Sequence, residues 1–255
     1  MVICMSKIGA VASRCLSFIT EFIYPPTCPV CGVRVATHGE LCGECWTQFD
    51  WIDDPKCHIC GYPFGDATEL PKTVMCPVCA AGDAPVDWMR SACVYDDMSR
   101  SVMLPFKHGG RIKHATFMSR AMIWAMRDMV DTDINIDVVM PVPLATKRLR
   151  HRTYNQAMLL ARPIAHAFNR PIDVDSVRRA HRPDMGHKTA AQRTENIRGV
   201  FNVVRPEMVR GKNILLVDDV FTTGATFREL RRVLMRAGAA GVYGVTFCRV
   251  VRVVK

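Results

Sequence analysis

Polar and apolar positions divide this 255-residue chain into a first third without long apolar runs and a remainder of alternating strands and helices. Short continuous apolar runs favour strands that are buried on both faces, and apolar residues at helical spacing favour helices. Alternation of the two predicts an α/β fold, a parallel sheet with helices on both faces. The predicted strands are WMRSACVY, DVVMPV, NILLVDD and VYGVTFCRV, and the predicted helices are HATFMSRAMIWAMRDMV, NQAMLLARPIAHAF and ATFRELRRVLMRAG. Pro163 should bend the second of these helices or end its first part.

Three segments are predicted along the chain. Residues 1–24 have the pattern of an amphipathic helix, and Lys7 and Arg14 interrupt their apolar residues as they would not in a signal peptide. Residues 25–83 form a small module rich in cysteine, and residues 84–255 form the α/β domain. Because no stretch reaches the roughly 20 apolar residues that span a bilayer, we expect no transmembrane segment and a cytoplasmic protein.

Eight of the twelve cysteines form four Cys-x-x-Cys pairs inside the second segment. This spacing lets both sulfurs of a pair face one metal ion, and four thiolates complete a tetrahedral zinc site. The segment is too poor in apolar residues to fold by itself, so we expect two structural zinc ions to hold it together. The predicted ligands are Cys28, Cys31, Cys42, Cys45, Cys57, Cys60, Cys76 and Cys79.

The cysteine pairs leave two alternatives and one question open. A redox-active dithiol would need a thioredoxin-like context, and an iron–sulfur cluster would also use four thiolates. The spacing does not decide which pairs share an ion, so an interleaved arrangement is possible. The remaining cysteines (Cys4, Cys15, Cys93 and Cys248) lie in helical or strand patterns and are expected to be buried apolar side chains.

The stretch LLVDDVFTTGAT, from Leu215 to Thr226, carries the main candidate site. A buried parallel strand brings Asp218 and Asp219 to the carboxyl edge of the sheet, where ligands of open α/β sheets bind. The hydroxyl-rich loop that follows leads into a helix N-terminus, which suits a phosphate monoester. A ligand with a phosphate at the loop and vicinal hydroxyls near the aspartates would satisfy both parts of the stretch. A ribose 5-phosphate has these groups.

The same stretch resembles the signature of the type I phosphoribosyltransferases, in which four hydrophobic residues and two acids precede T-T-G-x-T. This resemblance implies that the acids bind the ribose hydroxyls of phosphoribosyl pyrophosphate, with Mg²⁺ bridging the hydroxyls and the diphosphate. It implies that the loop binds the 5-phosphate. The loop residues are Thr222, Thr223, Gly224, Ala225 and Thr226.

Other stretches resemble the ComF family of competence and DNA-utilisation proteins, which also carry an N-terminal double zinc ribbon. In VVMPVPLATKRLRHRTYNQA, the P-x-P-L segment and the basic run imply a pyrophosphate-binding loop made of Pro141, Val142, Pro143, Leu144, Lys147 and Arg148. Lys107, in a Lys-aromatic-Gly-like stretch, is a further candidate for diphosphate. KTAAQRTENIRGVF resembles the mobile substrate-covering loop of the family through Gln192 and Asn196, although the expected basic position before Asn196 is not basic.

The formal charge of +10 is concentrated in one stretch, since residues 147–212 contain fifteen Lys or Arg against five Asp or Glu. Such a surplus indicates a polyanionic partner. Three functions follow: a phosphoribosyltransferase in DNA uptake or nucleotide salvage, a non-catalytic accessory protein that binds a similar ligand or a protein of the uptake machinery, and a protein that binds single-stranded DNA. The sequence identifies neither a general base nor the acceptor.

Overall fold

The structure is a computed structural model, and it describes residues 25–65, 70–108, 114–144, 155–180 and 197–251. The predicted N-terminal helix, Lys147, Arg148, Gln192 and Asn196 lie outside these residues. The helices are α1 (Gly43–Thr47), α2 (Pro77–Ala80), α3 (Asp97–His108), α4 (His114–Ala125), α5 (Gln156–Ala167) and α6 (Ala225–Arg236), with 3₁₀ turns at Arg127–Asp131 and Pro206–Met208. The strands are β1 (Trp88–Val94), β2 (Val138–Pro141), β3 (Val177–Arg179), β4 (Phe201–Val203), β5 (Asn213–Phe221) and β6 (Gly241–Arg249).

Four parallel strands form the central sheet in the order β1-β6-β5-β2. A bridge from Val139 to Ile172 extends the sheet beyond β2, and β3 and β4 form a separate antiparallel hairpin. The predicted α/β fold is therefore confirmed, including the four strands expected from their apolar runs. Among the described residues, no helix is both long and apolar enough to cross a membrane.

The sheet separates two apolar clusters, because side chains of a strand alternate between its faces. Leu215 and Val217 of β5 face a cluster formed with α3, α4 and α5, whereas Ile214 and Leu216 face a cluster formed with α6. Both faces of β5 are thus buried, which explains its continuous apolar run. At the carboxyl edge of the sheet, β5 emerges from the core and becomes partly exposed.

Two element boundaries differ from the sequence prediction. Helix α5 continues through Pro163 without ending there. Strand β5 does not end at the aspartates but continues through them to Phe221, because β6 pairs with it as far as Phe221 and Arg249. The end of α6 agrees with the prediction, since Gly238 follows it with a φ of +93°.

Candidate functional site

Asp218 and Asp219 lie where β5 has lost one of its two neighbours. Strand β2 pairs with β5 only as far as Pro141 opposite Val217, whereas β6 continues beside the aspartates. One side of β5 is therefore open at the two carboxylates, and both side chains are partly buried rather than enclosed. This opening at the carboxyl edge is the position in which open parallel sheets bind ligands.

The hydroxyl-rich loop turns sharply between β5 and α6. Gly224 caps α6 with a φ of +76°, a left-handed conformation that favours glycine. A Cβ at this position would lie 2.8 Å from the ring of Phe221, so the backbone passes too close to that ring for a side chain. Ala225 and Thr226 already belong to the first turn of α6, where backbone N–H groups without an intrahelical partner favour an anion. The N–H of Ala225 donates to Oγ1 of Thr223 at 3.4 Å.

Lys107, at the end of α3, contacts one of the two aspartates. Its Nζ lies 3.0 Å from Oδ2 of Asp219, and both side chains are mostly buried. The backbone oxygen of Lys107 accepts a hydrogen bond of 3.0 Å from Nε2 of Gln156, which is itself buried at the start of α5. The structure thus brings the predicted diphosphate lysine to the predicted ribose carboxylates, and the Gln156 amide helps to hold the end of α3 there.

The surroundings of Asp218 disfavour its negative charge. Burial and the nearby charge of Asp219 raise the pKa of Asp218 from 3.8 to about 7, although the cations of Lys107 and Arg179 lower it. The backbone N–H of Asp219 also donates to Oδ1 of Asp218 at 2.9 Å. Near neutral pH, Asp218 is therefore close to its titration midpoint, and added positive charge or hydroxyl donors would favour its ionised form.

The segment Pro141–Leu144 lies alongside this opening. Pro141 ends β2, and the backbone N–H of Val142 donates to the oxygen of Val217 at 2.9 Å. That bond sets the start of the segment beside the residue that precedes Asp218. The predicted partners Lys147, Arg148, Gln192 and Asn196 lie outside the described residues, so their position relative to the aspartates stays a prediction.

The eight predicted metal ligands form two tetrads in sequence order. Cys28, Cys31, Cys42 and Cys45 make up the first cluster, and Cys57, Cys60, Cys76 and Cys79 the second; within each cluster the sulfurs lie within 4.8 Å of one another. Four converging thiols fit tetrahedral Zn²⁺, and backbone N–H groups approach two of the sulfurs, as expected of thiolate ligands. The interleaved pairing is not the one that the structure adopts.

The two clusters differ in exposure. All four cysteines of the second cluster are buried, whereas Cys31 of the first cluster is exposed and Cys42 is half-buried. Cys93 and Cys248 lie in the core as expected, and burial raises the pKa of each thiol. Structural zinc sites with four thiolates leave no position for a substrate, so we expect both clusters to have a structural role.

Sequence reasoning missed several residues around the site. Arg228 donates to the oxygen of Thr223 in the loop, Arg249 lies buried at the end of β6, and Arg179 of β3 acts on the charge of Asp218. One signal was available for Arg249, because a single charged residue near the end of an apolar run indicates a specific partner for that charge. Arg228 looked like any polar residue of an amphipathic helix.

Two protein-family models match the chain. A double zinc ribbon domain matches residues 19–80, and a phosphoribosyl transferase domain matches residues 154–252. Among solved structures, a glutamine phosphoribosylpyrophosphate amidotransferase from B. subtilis is similar, with a TM-score of 0.37 and 20% identity, over 62% of this chain and 31% of that one.

Curated relatives match over most of their length. The DNA utilization protein YhgH of Escherichia coli is 29% identical over 231 residues, which cover 88% of this chain and 97% of the relative. Competence protein F of Haemophilus influenzae is 27% identical, covering 81% and 88%, and competence protein ComFC of Bacillus subtilis is 25% identical, covering 82% and 84%. The chain thus carries a double zinc ribbon domain followed by a phosphoribosyl transferase domain, and it is similar over most of its length to these DNA utilization and competence proteins.

Proposed function

We propose that this protein binds phosphoribosyl pyrophosphate, or a closely related ribose 5-phosphate, together with Mg²⁺ at the carboxyl edge of the sheet. Asp218 and Asp219 accept hydrogen bonds from the ribose hydroxyls, and the loop from Thr222 to Thr226 binds the 5-phosphate. The observation that carries the proposal is the 3.0 Å contact between Lys107 and Asp219, since it puts a cation beside one of two neighbouring carboxylates, three residues before the hydroxyl-rich loop.

The diphosphate of the ligand needs positive charge near the anomeric carbon. Lys107 and the segment Pro141–Leu144 lie close enough to the aspartates to face it, and Lys147 and Arg148 follow that segment in the chain. Arginine binds phosphate oxygens through two parallel hydrogen bonds, which suits a diphosphate. In this arrangement Lys107 shares its charge between Asp219 and the incoming diphosphate.

Magnesium fits the donor set of the opening. Asp218 and Asp219 offer adjacent carboxylates. Burial, and then the neighbouring charge of Asp219, raise the pKa of Asp218, and a bound cation would offset both effects. Mg²⁺ commonly keeps several waters and uses one or two carboxylates with substrate phosphates. It would neutralise diphosphate charge as the bond to the leaving group breaks.

We infer that the reaction is transfer of the phosphoribosyl group. The bond between the anomeric carbon and the diphosphate oxygen breaks, its electron pair leaves with pyrophosphate, and the anomeric carbon bonds to a nitrogen of the acceptor, which loses a proton. The protein contributes mainly by positioning and by charge stabilisation. The names of two relatives, DNA utilization protein YhgH and competence protein F, support DNA uptake or nucleotide salvage as the setting. We expect the protein in the cytoplasm, where cysteines remain reduced and available to zinc.

Isothermal titration of phosphoribosyl pyrophosphate with MgCl₂ tests the binding step. Release of pyrophosphate with a panel of purine and pyrimidine bases then tests transfer. Saturable, Mg²⁺-dependent binding with base-dependent release supports the full proposal. Binding without release in any combination would reduce the protein to an accessory ligand-binding role, and absence of binding would contradict the assignment of the site.

A further inference from the structure

The second cysteine cluster shares its core with the helix that follows the phosphate loop. Cys57, Cys60, Cys76 and Cys79 belong to the same apolar cluster as Phe221 at the end of β5 and Phe227 in α6. The aromatic residues next to the first cluster, by contrast, pack with α4 on the opposite face of the sheet. Only the second cluster therefore lies, within the described part of the chain, on the side of α6.

Arg249 connects the second cluster to the end of β5. Its Nη1 donates to the oxygen of Cys60 at 2.6 Å, and its guanidinium lies 4.9 Å from the ring centroid of Phe221. The residue is 3% exposed. Its guanidinium also lies 5.2 Å from the ring centroid of Tyr62, and no salt bridge joins it to a carboxylate within the described residues. A buried cation needs a compensating charge. Zn²⁺ with four thiolates carries a net charge of −2, which the second cluster would supply when it is loaded.

Phe221 connects the second cluster to the phosphate loop, because its ring packs against the loop backbone. Its ring lies under Gly224, where an added Cβ would come within 2.8 Å of it. The backbone N–H of Val250 donates to the oxygen of Phe221 at 2.8 Å, so the residue after Arg249 also holds the end of β5. The position of Arg249 therefore bears on both the side chain and the backbone beneath the loop.

Arg228 makes a second connection, on the outer side of the loop. Its Nη1 donates to the oxygen of Thr223 at 2.7 Å, and its Nε donates to Oδ1 of Asp83 at 3.0 Å. Nη2 of Arg228 donates to the backbone oxygen of Asp83 at 3.1 Å. Asp83 follows the last zinc ligand closely, and its N–H donates to the oxygen of Val78 in α2 at 3.1 Å. One guanidinium thus bridges the second cluster's turn and the loop.

We propose that the second zinc site fixes the conformation of the phosphate loop, with Arg228 and Arg249 as positioning residues. The second cysteine cluster and the loop of residues 222–226 are then structurally coupled, so loss of metal from this cluster makes the loop more mobile. The consequence for ligand affinity rests on the proposed function, but the consequence for loop order does not.

Asp83→Ala distinguishes the bridge from a simple charge effect, because the two explanations predict opposite changes in ligand affinity. The variant makes the protein more positive, so a simple charge effect would strengthen binding of phosphoribosyl pyrophosphate. Asp83→Ala removes the side-chain half of the bridge and leaves the bond from Nη2 of Arg228 to the backbone oxygen of residue 83. If the bridge orders the loop, loss of its side-chain bond should weaken binding by about fivefold, the effect of losing roughly one hydrogen bond. Asp97→Ala is the matched control, because it also removes an exposed carboxylate paired with an arginine, at the start of α3. Tighter or unchanged binding in Asp83→Ala would overturn the proposal.

Amide hydrogen exchange of the loop without ligand separates this inference from the proposed function. We expect peptides covering residues 222–226 to exchange several-fold faster in Asp83→Ala and in Arg228→Lys than in the wild type or in Asp97→Ala. If the wild type does not bind phosphoribosyl pyrophosphate, the proposed function fails while the exchange data still decide the inference. Unchanged exchange in both bridge variants would contradict it.

The metal itself is tested by one variant in each cluster of the full-length protein. Cys79→Ser, in the second cluster, should accelerate exchange in residues 222–226. Cys31→Ser, which changes the exposed ligand of the first cluster, should not. Equal effects of the two variants, or an effect of Cys31→Ser alone, would overturn the link to the second site. Should Cys79→Ser fail to fold, the Asp83→Ala and Arg228→Lys data decide the question.

Discussion

The Nζ atom of Lys107 lies 3.0 Å from Oδ2 of Asp219, so residues more than a hundred positions apart in the chain meet at the open edge of β5. Helix α3 supplies the cation, and the β5 strand supplies the acid. The pair is mostly buried, and the neighbouring Asp218 adds a second carboxylate whose charge Lys107 partly offsets. An anionic ligand entering this opening therefore meets a cation that is already positioned.

Replacement of Lys107 by glutamine should weaken binding of phosphoribosyl pyrophosphate. A hydrogen bond between charged groups contributes about 1.5–3 kcal/mol, so we expect a loss of roughly tenfold or more in affinity. Arg100→Gln is the matched control, since it removes a cation from the exposed side of the same helix. Calorimetric titration of both variants checks the prediction, and equal losses would show that only the overall charge matters.

Asp218 predicts a pH dependence of stability. The pKa of Asp218 is about 7 in the folded protein and 3.8 in its ordinary state. Between pH 3.8 and about 7, the folded protein therefore keeps a proton on Asp218 that the unfolded chain has released. The associated stabilisation is complete below about pH 4 and is lost as the pH rises through about 7. The free energy of unfolding of the wild type should therefore fall relative to that of Asp218→Asn over this range. Urea denaturation across pH checks this, and a constant difference would contradict it.

Gly224→Ala should destabilise the protein more than an alanine at a comparable but open position. Both Gly224 (φ +76°) and Gly211 (φ +69°) have left-handed backbones, but an added Cβ meets the Phe221 ring at 2.8 Å only at Gly224 and meets nothing within 4 Å at Gly211. We expect about 1 kcal/mol of strain for each and a further cost at Gly224. Urea denaturation of both variants gives the difference, and equal losses would mean that the ring moves aside freely.

Metal analysis of the purified protein should give two zinc ions per chain. Because Cys31 is exposed and the second cluster is fully buried, a chelator should remove the first ion faster than the second. Structural zinc contributes on the order of 10 kcal/mol to the folding of such modules, so loss of zinc should unfold residues 25–83 early. Well under one zinc per chain, or simultaneous release of both ions, would contradict this prediction.

Local sequence patterns were sufficient to predict the fold and the eight cysteine ligands, but not which pairs share a cluster. The strands were predictable because burial on both faces requires continuous apolar runs, and the ligands because a zinc knuckle requires two cysteines at fixed spacing. The continuation of β5 to Phe221 was not predictable, because it depends on pairing with β6, a partner distant in sequence.

Long-range side-chain contacts at the site were beyond sequence reasoning. The side chain of Gln156 donates to the backbone oxygen of Lys107, 49 residues away in the chain. Arg228 joins the neighbouring Thr223 to Asp83, which lies 145 residues away. An arginine on an amphipathic helix carries no signal of such a partner. The predicted role of Lys107 came from resemblance, whereas its contact with Asp219 became visible only in the folded chain.

The most direct test of the proposed function is titration of phosphoribosyl pyrophosphate with Mg²⁺ into the wild type and into Asp218→Asn/Asp219→Asn. Both carboxylates lie at the open side of β5, so the variant should keep its fold, which circular dichroism can check. Removal of two charge-assisted hydrogen bonds should weaken binding at least about tenfold. Unchanged affinity in the folded double variant would show that the ribose 5-phosphate does not bind at these aspartates.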